Sequence, residues 1–179
     1  VYSGVIKGES ENSYYIFEDD AFILADPFKT DPFTVIFTEY GAEWPAINEE
    51  FEFIRVNRTQ NTISGYNRNG AVLDNMPIEA PENIKFIGTP LLADITGDNI
   101  QDIIVIGQDE FSMNIYGYQK DGALIDGFPL FVGAVTQQNT QPIHPIFIDN
   151  TLYAVSHVGD IKAWRFESFT RSVWPSRYG

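Results

Sequence analysis

Short apolar or alternating runs follow one another along the chain and are divided by Gly, Asn, Asp and Pro, as at 14–17, 21–24, 33–37 and 51–56. No stretch carries apolar residues at the three-to-four-residue spacing of a long amphipathic helix. This pattern is typical of an all-β protein. It predicts strands near 87–94, 102–107, 113–119, 145–149, 152–156 and 161–166, and no α-helix longer than about two turns over 60–179.

A motif recurs in the second half of the chain: an apolar strand with an aromatic residue, an Asn-Gly or Asp-Gly turn, and a corner with proline. Tyr66 and Gly70 of one copy lie 52 residues before Tyr118 and Gly122 of the next. A third copy places Trp164 46 residues after Tyr118 and a Val-Trp-Pro corner at 173–175. Asn-Gly and Asp-Gly supply the positive φ that tight hairpins need. We interpret the recurring aromatic residues as packing between repeat units.

The strand that precedes the motif is repeated as well. Thr-Pro-Leu-Leu-Ala-Asp at 89–94 matches His-Pro-Ile-Phe-Ile-Asp 55 residues later, and Trp-Pro-Ala-Ile-Asn at 44–48 is a copy 45 residues upstream. A period of about 45–55 residues with three or four strands indicates propeller blades, which stack radially because one blade cannot bury both faces alone. The predicted fold class is all-β, a β-propeller or partial propeller of repeated four-stranded antiparallel blades.

The repeat also sets the expected domain organisation. The units lie at about 40–86, 87–140 and 141–179, with 1–39 as a degenerate unit. Three to four units fall short of most propellers, which have about 4–8 blades. We therefore expect 1–179 to be a single propeller-type domain or the C-terminal fragment of a larger propeller. In a fragment, a missing N-terminal part or a partner chain would cover the open edge.

An acidic loop lies between two predicted strands at 94–102. Side-chain oxygens come at every second position from Asp94, Thr96 and Asp98, then from Asp102, and Ile100 offers its backbone carbonyl. Alternating oxygens on a coiled loop suit a hard cation such as Ca²⁺, which takes about 6–8 oxygen ligands. The same residues would also form an ordinary turn, because Asp and Asn hydrogen-bond their own backbone. The sequence leaves both interpretations open.

Composition narrows the classes of function. The net charge of −14 argues against nucleic acid and anionic membranes as partners and suits cations. The absence of Cys excludes disulfides, thiolate metal sites and a Cys nucleophile. No apolar run approaches the ~18 residues of a membrane span. No Gly-x-Ser-x-Gly elbow is present, so a serine hydrolase is not expected.

The segment 90–129 resembles the FG-GAP, or VCBS, repeat of integrin-α-like β-propellers in secreted bacterial proteins. The run Asp-Ile-Thr-Gly-Asp-Asn-Ile-Gln-Asp at 94–102 is similar to that family's calcium loop, although Thr96 and Asn99 replace its more usual residues. The Asp-Gly turn and Gly-Phe-Pro corner at 121–129 are similar to its blade endings, and 161–179 to a last blade. Only one loop is complete, so a face with several calcium ions is not expected.

This resemblance implies calcium held by a blade loop and a secreted, cell-surface or periplasmic location in a bacterium. It also implies an adhesive or scaffolding role with other protein chains, without membrane insertion. The expected function is therefore a non-catalytic, calcium-binding extracellular propeller segment. Two alternatives stay open: a carbohydrate-active propeller enzyme, lyase or glycoside hydrolase, and a subunit that clads a larger surface complex.

Other polar and aromatic residues receive mainly structural interpretations. His144 and His157 lack obvious convergent partners and are expected to be structural or at the surface. The acidic groups at 18–20 and 49–50 are expected in solvated turns, with second cation sites or paired catalytic carboxylates as the alternative. Trp44 and Tyr178 fall outside the repeat, and an exposed pair of this kind could stack on a glycan.

Overall fold

The computed structural model describes residues 45–50, 52–135 and 144–169 with their side chains. It also describes the backbone of the strands at 4–7, 14–18, 21–25, 33–38 and 171–174. Every regular element in these residues is a β-strand, which confirms the all-β prediction for the described part of the chain. No helix in that part is long and apolar enough to cross a membrane.

The strands form four antiparallel sheets from successive stretches of chain. The first sheet contains β1 (Gly4–Lys7), β2 (Tyr14–Glu18), β3 (Ala21–Ala25) and β4 (Phe33–Thr38). The second contains β5 (Ala46–Ile47), β6 (Phe53–Asn57), β7 (Thr62–Tyr66) and β8 (Ile78–Glu79). The third contains β9 (Lys85–Asp94), β10 (Asp102–Gln108), β11 (Ser112–Tyr118) and β12 (Leu130–Ala134). The fourth contains β13 (Ile146–Ile148), β14 (Thr151–Val155) and β15 (Ile161–Arg165).

All six predicted strands are present as β9–β11 and β13–β15, with ends that differ by no more than two residues. The expected corner at 173–175 reaches beyond the described residues and stays a prediction. The last described strand, β16 (Arg171–Trp174), pairs with the end of β9, where Arg171 lies opposite Asp94, and its register shifts between Ser172 and Trp174. Among the described residues, the third sheet therefore has five strands and the fourth has three.

The repeat of 52 residues is visible in the backbone hydrogen bonds. Leu73 donates its N–H to the carbonyl of Gly65 at 2.9 Å, and Ile125 donates in the same way to Gly117 at 2.9 Å. The two turns before these bonds each carry a glycine with positive φ, at 70 and 122. Corresponding residues of the second and third sheets therefore share one local geometry.

The core lies between sheets and follows the two-residue period of the strands. On β10, Ile103 and Val105 pack toward the second sheet, whereas Ile104 and Ile106 pack toward the fourth. Both faces of β10 are buried, which explains its continuous β-branched sequence. The predicted aromatic packing is confirmed for Tyr118, which is buried between the second and third sheets.

Aromatic contacts reinforce both boundaries between sheets. Phe86 meets Tyr116 and Tyr118 edge to face, with ring centroids 5.9 and 6.1 Å apart. On the other side of the third sheet, Trp164 is half-buried against the apolar cluster that joins the third and fourth sheets. The sheets therefore pack face against face through apolar and aromatic side chains.

Candidate functional site

The acidic loop connects the end of β9 to the start of β10. Asp94 is the last residue of β9 and Asp102 the first of β10, and each is only 1% exposed. Ile95 is buried in the core, Thr96 is half-buried, and the following four residues are exposed. The loop thus carries two buried carboxyl groups at its base and an exposed tip.

Asp94 holds the coil of the loop. Its Oδ1 accepts the N–H of Gly97 at 2.6 Å and its Oδ2 accepts the N–H of Asn99 at 2.8 Å. Gly97 and Asn99 have φ of +82° and +67°. These are the residue types that tolerate positive φ best, so the sequence allows the tight coil that both interpretations of the loop require.

Asp102 closes the base of the loop. Its Oδ2 accepts the N–H groups of Ile95 and Thr96 at 2.9 and 3.1 Å and the hydroxyl of Thr96 at 3.2 Å. Burial raises the pKa of this carboxyl from 3.8 to about 6, and the charge of Asp98 adds to the increase, although the three hydrogen bonds oppose it.

The carboxylates do not meet at one point in this structure. Asp98 accepts the N–H of Ile100 at 2.8 Å, within the exposed tip. Within the described ranges, no three His, Cys, Asp or Glu side chains are grouped so that they could hold a metal ion. The five predicted ligands thus share one loop, but an ion would have to draw Asp98 and Thr96 away from their present partners.

The loop offers a further oxygen that the sequence did not single out. The side-chain Oε1 of Gln101 is buried and has no hydrogen-bond donor. A buried amide oxygen without a partner is costly, and a cation or a water molecule would satisfy it. Together with the buried carboxyl groups of Asp94 and Asp102, this oxygen adds to the acceptors that the loop carries, which suits a hard cation.

Neighbouring elements enclose the loop on two sides. A Cβ at Gly97 would lie 2.7 Å from the carbonyl oxygen of Ser168, in the segment that follows the fourth sheet. On the other side, a cavity of about 310 Å³ separates the loop from the second sheet and is lined by Asn99, Ile100, Gln101, Glu49, Glu50, Glu52, Asp74 and Lys120, among others. The loop is therefore placed where the second, third and fourth sheets come together.

An ion-pair network, which the sequence did not predict, lies at this cavity. Lys120 Nζ donates to both carboxylate oxygens of Glu52 at 3.0 and 2.9 Å and to Glu50 Oε2 at 3.3 Å. Burial alone would lower the pKa of Lys120, but the bonds and charges of Glu52 and Glu50 outweigh it, so the pKa of Lys120 is raised. Asn48 also donates to Glu52, at 2.6 Å. Part of the acidic group at 49–50 thus joins two sheets, and its turn is solvated as expected.

The remaining candidate residues add no second cluster to the described site. His144 and His157 are half-buried at the start of β13 and in the turn after β14. Trp44 and Tyr178, and the acidic residues 19 and 20, lie outside the described residues. The glycan prediction based on the two aromatic residues therefore stays a prediction.

No family model matches this sequence, and no curated protein matches it. Among solved structures, streptogramin B lyase superposes with a TM-score of 0.51 at 10% identity, over 92% of this chain and 54% of that chain. The fold is that of a β-propeller. The WD40 domain of SCAP from fission yeast matches at a TM-score of 0.41, with 10% identity, over 96% of this chain and 40% of that one.

A computationally designed protein, Ika4, matches at a TM-score of 0.48 and 16% identity, over 88% of this chain and 87% of that chain. The present chain spans about half the length of the lyase. At these identities the likeness concerns the fold alone. The predicted propeller class is thereby confirmed, and the four sheets are its blades.

Proposed function

We propose that this chain is a non-catalytic propeller segment that binds Ca²⁺ through the loop 94–102 and serves protein interaction, adhesion or scaffolding outside the cell. The observation that carries the proposal is the set of acceptors at the base of the loop. Asp94 and Asp102 are buried, and the nearby Gln101 Oε1 has no donor. Hard oxygen donors of this kind are what Ca²⁺ binds.

Calcium would act by stabilising the junction of the blades. Without a cation, Asp94, Asp98 and Asp102 bring three acidic groups into one short loop, where their negative charges repel one another. A bound Ca²⁺ would offset this repulsion and fix the turn between β9 and β10. The ligands Thr96 Oγ1 and the carbonyl of Ile100 would complete the set named by the sequence.

The extracellular location and the protein partners rest on the resemblance to FG-GAP repeats and on the charge of −14. Calcium is available in the millimolar range outside cells, and extracellular calcium modules have dissociation constants of about 10⁻⁴–10⁻³ M. A loop with three carboxylates, one of them exposed, fits that range.

A nuclear magnetic resonance titration would test calcium binding at the loop. We expect the amide signals of Gly97 and Asn99 to shift with Ca²⁺ and to saturate in the millimolar range, because both N–H groups bond to the ligand Asp94. Asp98→Ala should remove the saturable shift, whereas Asp121→Ala, outside the loop, should keep it. Signals that do not respond to Ca²⁺ in the wild type would contradict the proposal.

A second candidate is a carbohydrate-active enzyme, and the acidic cavity between the second and third blades favours it. Glu49, Glu50, Glu52 and Asp74 all line this cavity, as paired catalytic carboxylates would. Lys120 pairs with two of them, which favours a structural role for these residues. Depolymerisation of a polysaccharide that is lost in both Glu52→Gln and Asp74→Asn would favour the enzyme.

A further inference from the structure

A second cavity, of about 660 Å³, lies at the end of the third blade opposite to the acidic loop. It is lined by the start of β9 and the end of β10, whereas the loop 94–102 joins the other ends of these two strands. The turn between β6 and β7 of the second blade also lines it. A cavity of this size is within the range of small-molecule sites, about 300–1,000 Å³.

Hydrogen bonds hold the walls of this cavity in place. In the β6–β7 turn, Asn61 donates its side-chain amide to the carbonyl of Ile84 at 2.7 Å and accepts the N–H of Phe86 at 2.9 Å. These bonds tie the second blade to the start of β9. In the β10–β11 turn, the carboxylate of Asp109 accepts two backbone N–H groups and the hydroxyl of Ser112. Walls that are already ordered lose little conformational entropy when a ligand binds.

One polar atom of the lining lacks a partner. The side-chain Oε1 of Gln108, at the end of β10, is buried and accepts no hydrogen bond from the described residues. A buried acceptor without a donor is costly, and a ligand with a donor group would satisfy it. The charged side chains of the lining balance one another, two basic and two acidic: Arg58, Lys85, Asp109 and Glu110. The cavity therefore offers hydrogen bonds without favouring a ligand of either charge.

An exposed aromatic residue is adjacent to the lining. Phe111 directly follows two lining residues in the β10–β11 turn and is 73% exposed. Its carbonyl accepts the N–H of Val135, another lining residue, at 2.9 Å. The face of an aromatic ring is electrically negative and attracts polarised C–H groups, such as those on the face of a sugar ring.

We propose that this cavity binds a neutral saccharide, with Gln108 as a hydrogen-bond partner and Phe111 as a stacking surface at its edge. The hydroxyl groups of a sugar both donate and accept, so one of them can donate to Gln108 Oε1. A neutral sugar also suits a lining whose charges balance. The cavity shares no residue with the proposed calcium loop, so this inference goes beyond the proposed function and does not depend on it.

A nuclear magnetic resonance titration of the 179-residue chain with the methyl glycosides of glucose, galactose and mannose tests the proposal. At least one of these probes should shift the backbone amide signals of Glu110 and Phe111 and the side-chain amide signals of Gln108, and the shifts should saturate. Gln108→Leu should weaken this binding about tenfold, through the loss of one buried hydrogen bond. The same change should not lower the stability of the free protein, because the oxygen that it removes has no donor there.

The aromatic contribution is tested by Phe111→Ala, which should also weaken the binding. Gln119→Leu and Phe131→Ala are the matched controls. Gln119 is half-buried in the turn after β11, and Phe131 is 57% exposed on β12. Neither residue lines the cavity, so both variants should bind the probe as the wild type does.

Three results would overturn the proposal. The first is the absence of a saturable shift with any of the glycosides, and the second is equal affinity in the wild type and in Gln108→Leu. The third is a response to glycine instead of the glycosides, which would assign the cavity to a zwitterion. The affinity should be the same with chelator and with Ca²⁺, because the cavity and the acidic loop lie at opposite ends of β9. Saccharide binding in both conditions would stand even if the loop bound no calcium.

Discussion

Replacing Leu91 with alanine should lower the free energy of unfolding by about 2–5 kcal/mol, the usual range for a buried leucine. Leu91 lies in the middle of β9, is 0% exposed, and packs in the cluster between the third and fourth blades. The loss combines the transfer energy of the missing methyl groups with the cavity that the rigid sheets leave behind. Denaturant unfolding, followed by tryptophan fluorescence or circular dichroism, would measure it.

Leu124→Ala is the matched control for this change. Leu124 is 46% exposed and lies in the turn after β11, so its truncation should alter stability by no more than about 0.5 kcal/mol. Similar losses in both variants would mean that the boundary between the third and fourth blades is not the packed core described above.

With chelator present, the free energy of unfolding of the wild type should fall by up to about 3 kcal/mol as the pH rises, because of Asp102. Asp102→Asn should remove this pH dependence. The folded pKa of Asp102 is about 6 and its ordinary value is 3.8. Below pH 4 both states are protonated, so the carboxyl has no effect on stability there. As pH rises from about 4 to 6, the unfolded state releases this proton first and the wild type loses stability relative to Asp102→Asn. Well above pH 6, where the carboxyl is ionised in both states, the difference is constant.

Asp109 provides a control of opposite sign. Hydrogen bonds from the N–H groups of Phe111 and Ser112 and from the Ser112 hydroxyl lower the pKa of this carboxyl. The ionised carboxylate of Asp109 therefore stabilises the fold above its ordinary pKa of 3.8, and this contribution is lost as the pH falls below that value. Unfolding curves of Asp102→Asn and Asp109→Asn, measured from pH 2.5 to 8, should depart from the wild type with opposite trends: the Asp109 effect develops below about pH 4 and the Asp102 effect above it. Parallel curves for wild type and Asp102→Asn would contradict a raised pKa at Asp102.

Much of the fold could be predicted because the same pattern of apolar strands and glycine turns recurs along the sequence. The alternation of Ile103 and Val105 with Ile104 and Ile106 assigns two apolar faces to β10, and only a sheet covered on both sides can bury them. The Asn-Gly and Asp-Gly turns indicated where strands end, since their glycines supply positive φ. The position of β16 could not be predicted, because it depends on which strand edge is free in space.

The structure of the acidic loop could be predicted from the sequence only in part. The order of Asp, Thr and Gly predicted its coil, which the bonds of Asp94 to Gly97 and Asn99 display. Spacing does not tell whether carboxylates bond to their own backbone or converge on an ion, because both use the same coiled backbone. The burial of Asp102 likewise depends on packing around the start of β10. The contact of Lys120 with Glu52 joins residues 68 positions apart and requires the blades to be docked.

The most direct test of a calcium-stabilised blade is thermal unfolding of the wild type, first with chelator and then with Ca²⁺. At about 100 times its dissociation constant, a ligand that binds only the folded state adds about 2.7 kcal/mol. For a domain of this size, that corresponds to a rise in Tm of about 5–11 °C. We predict a rise of this order in the wild type and none in Asp98→Ala. An unchanged Tm in the wild type, or equal rises in both proteins, would contradict calcium binding by this loop.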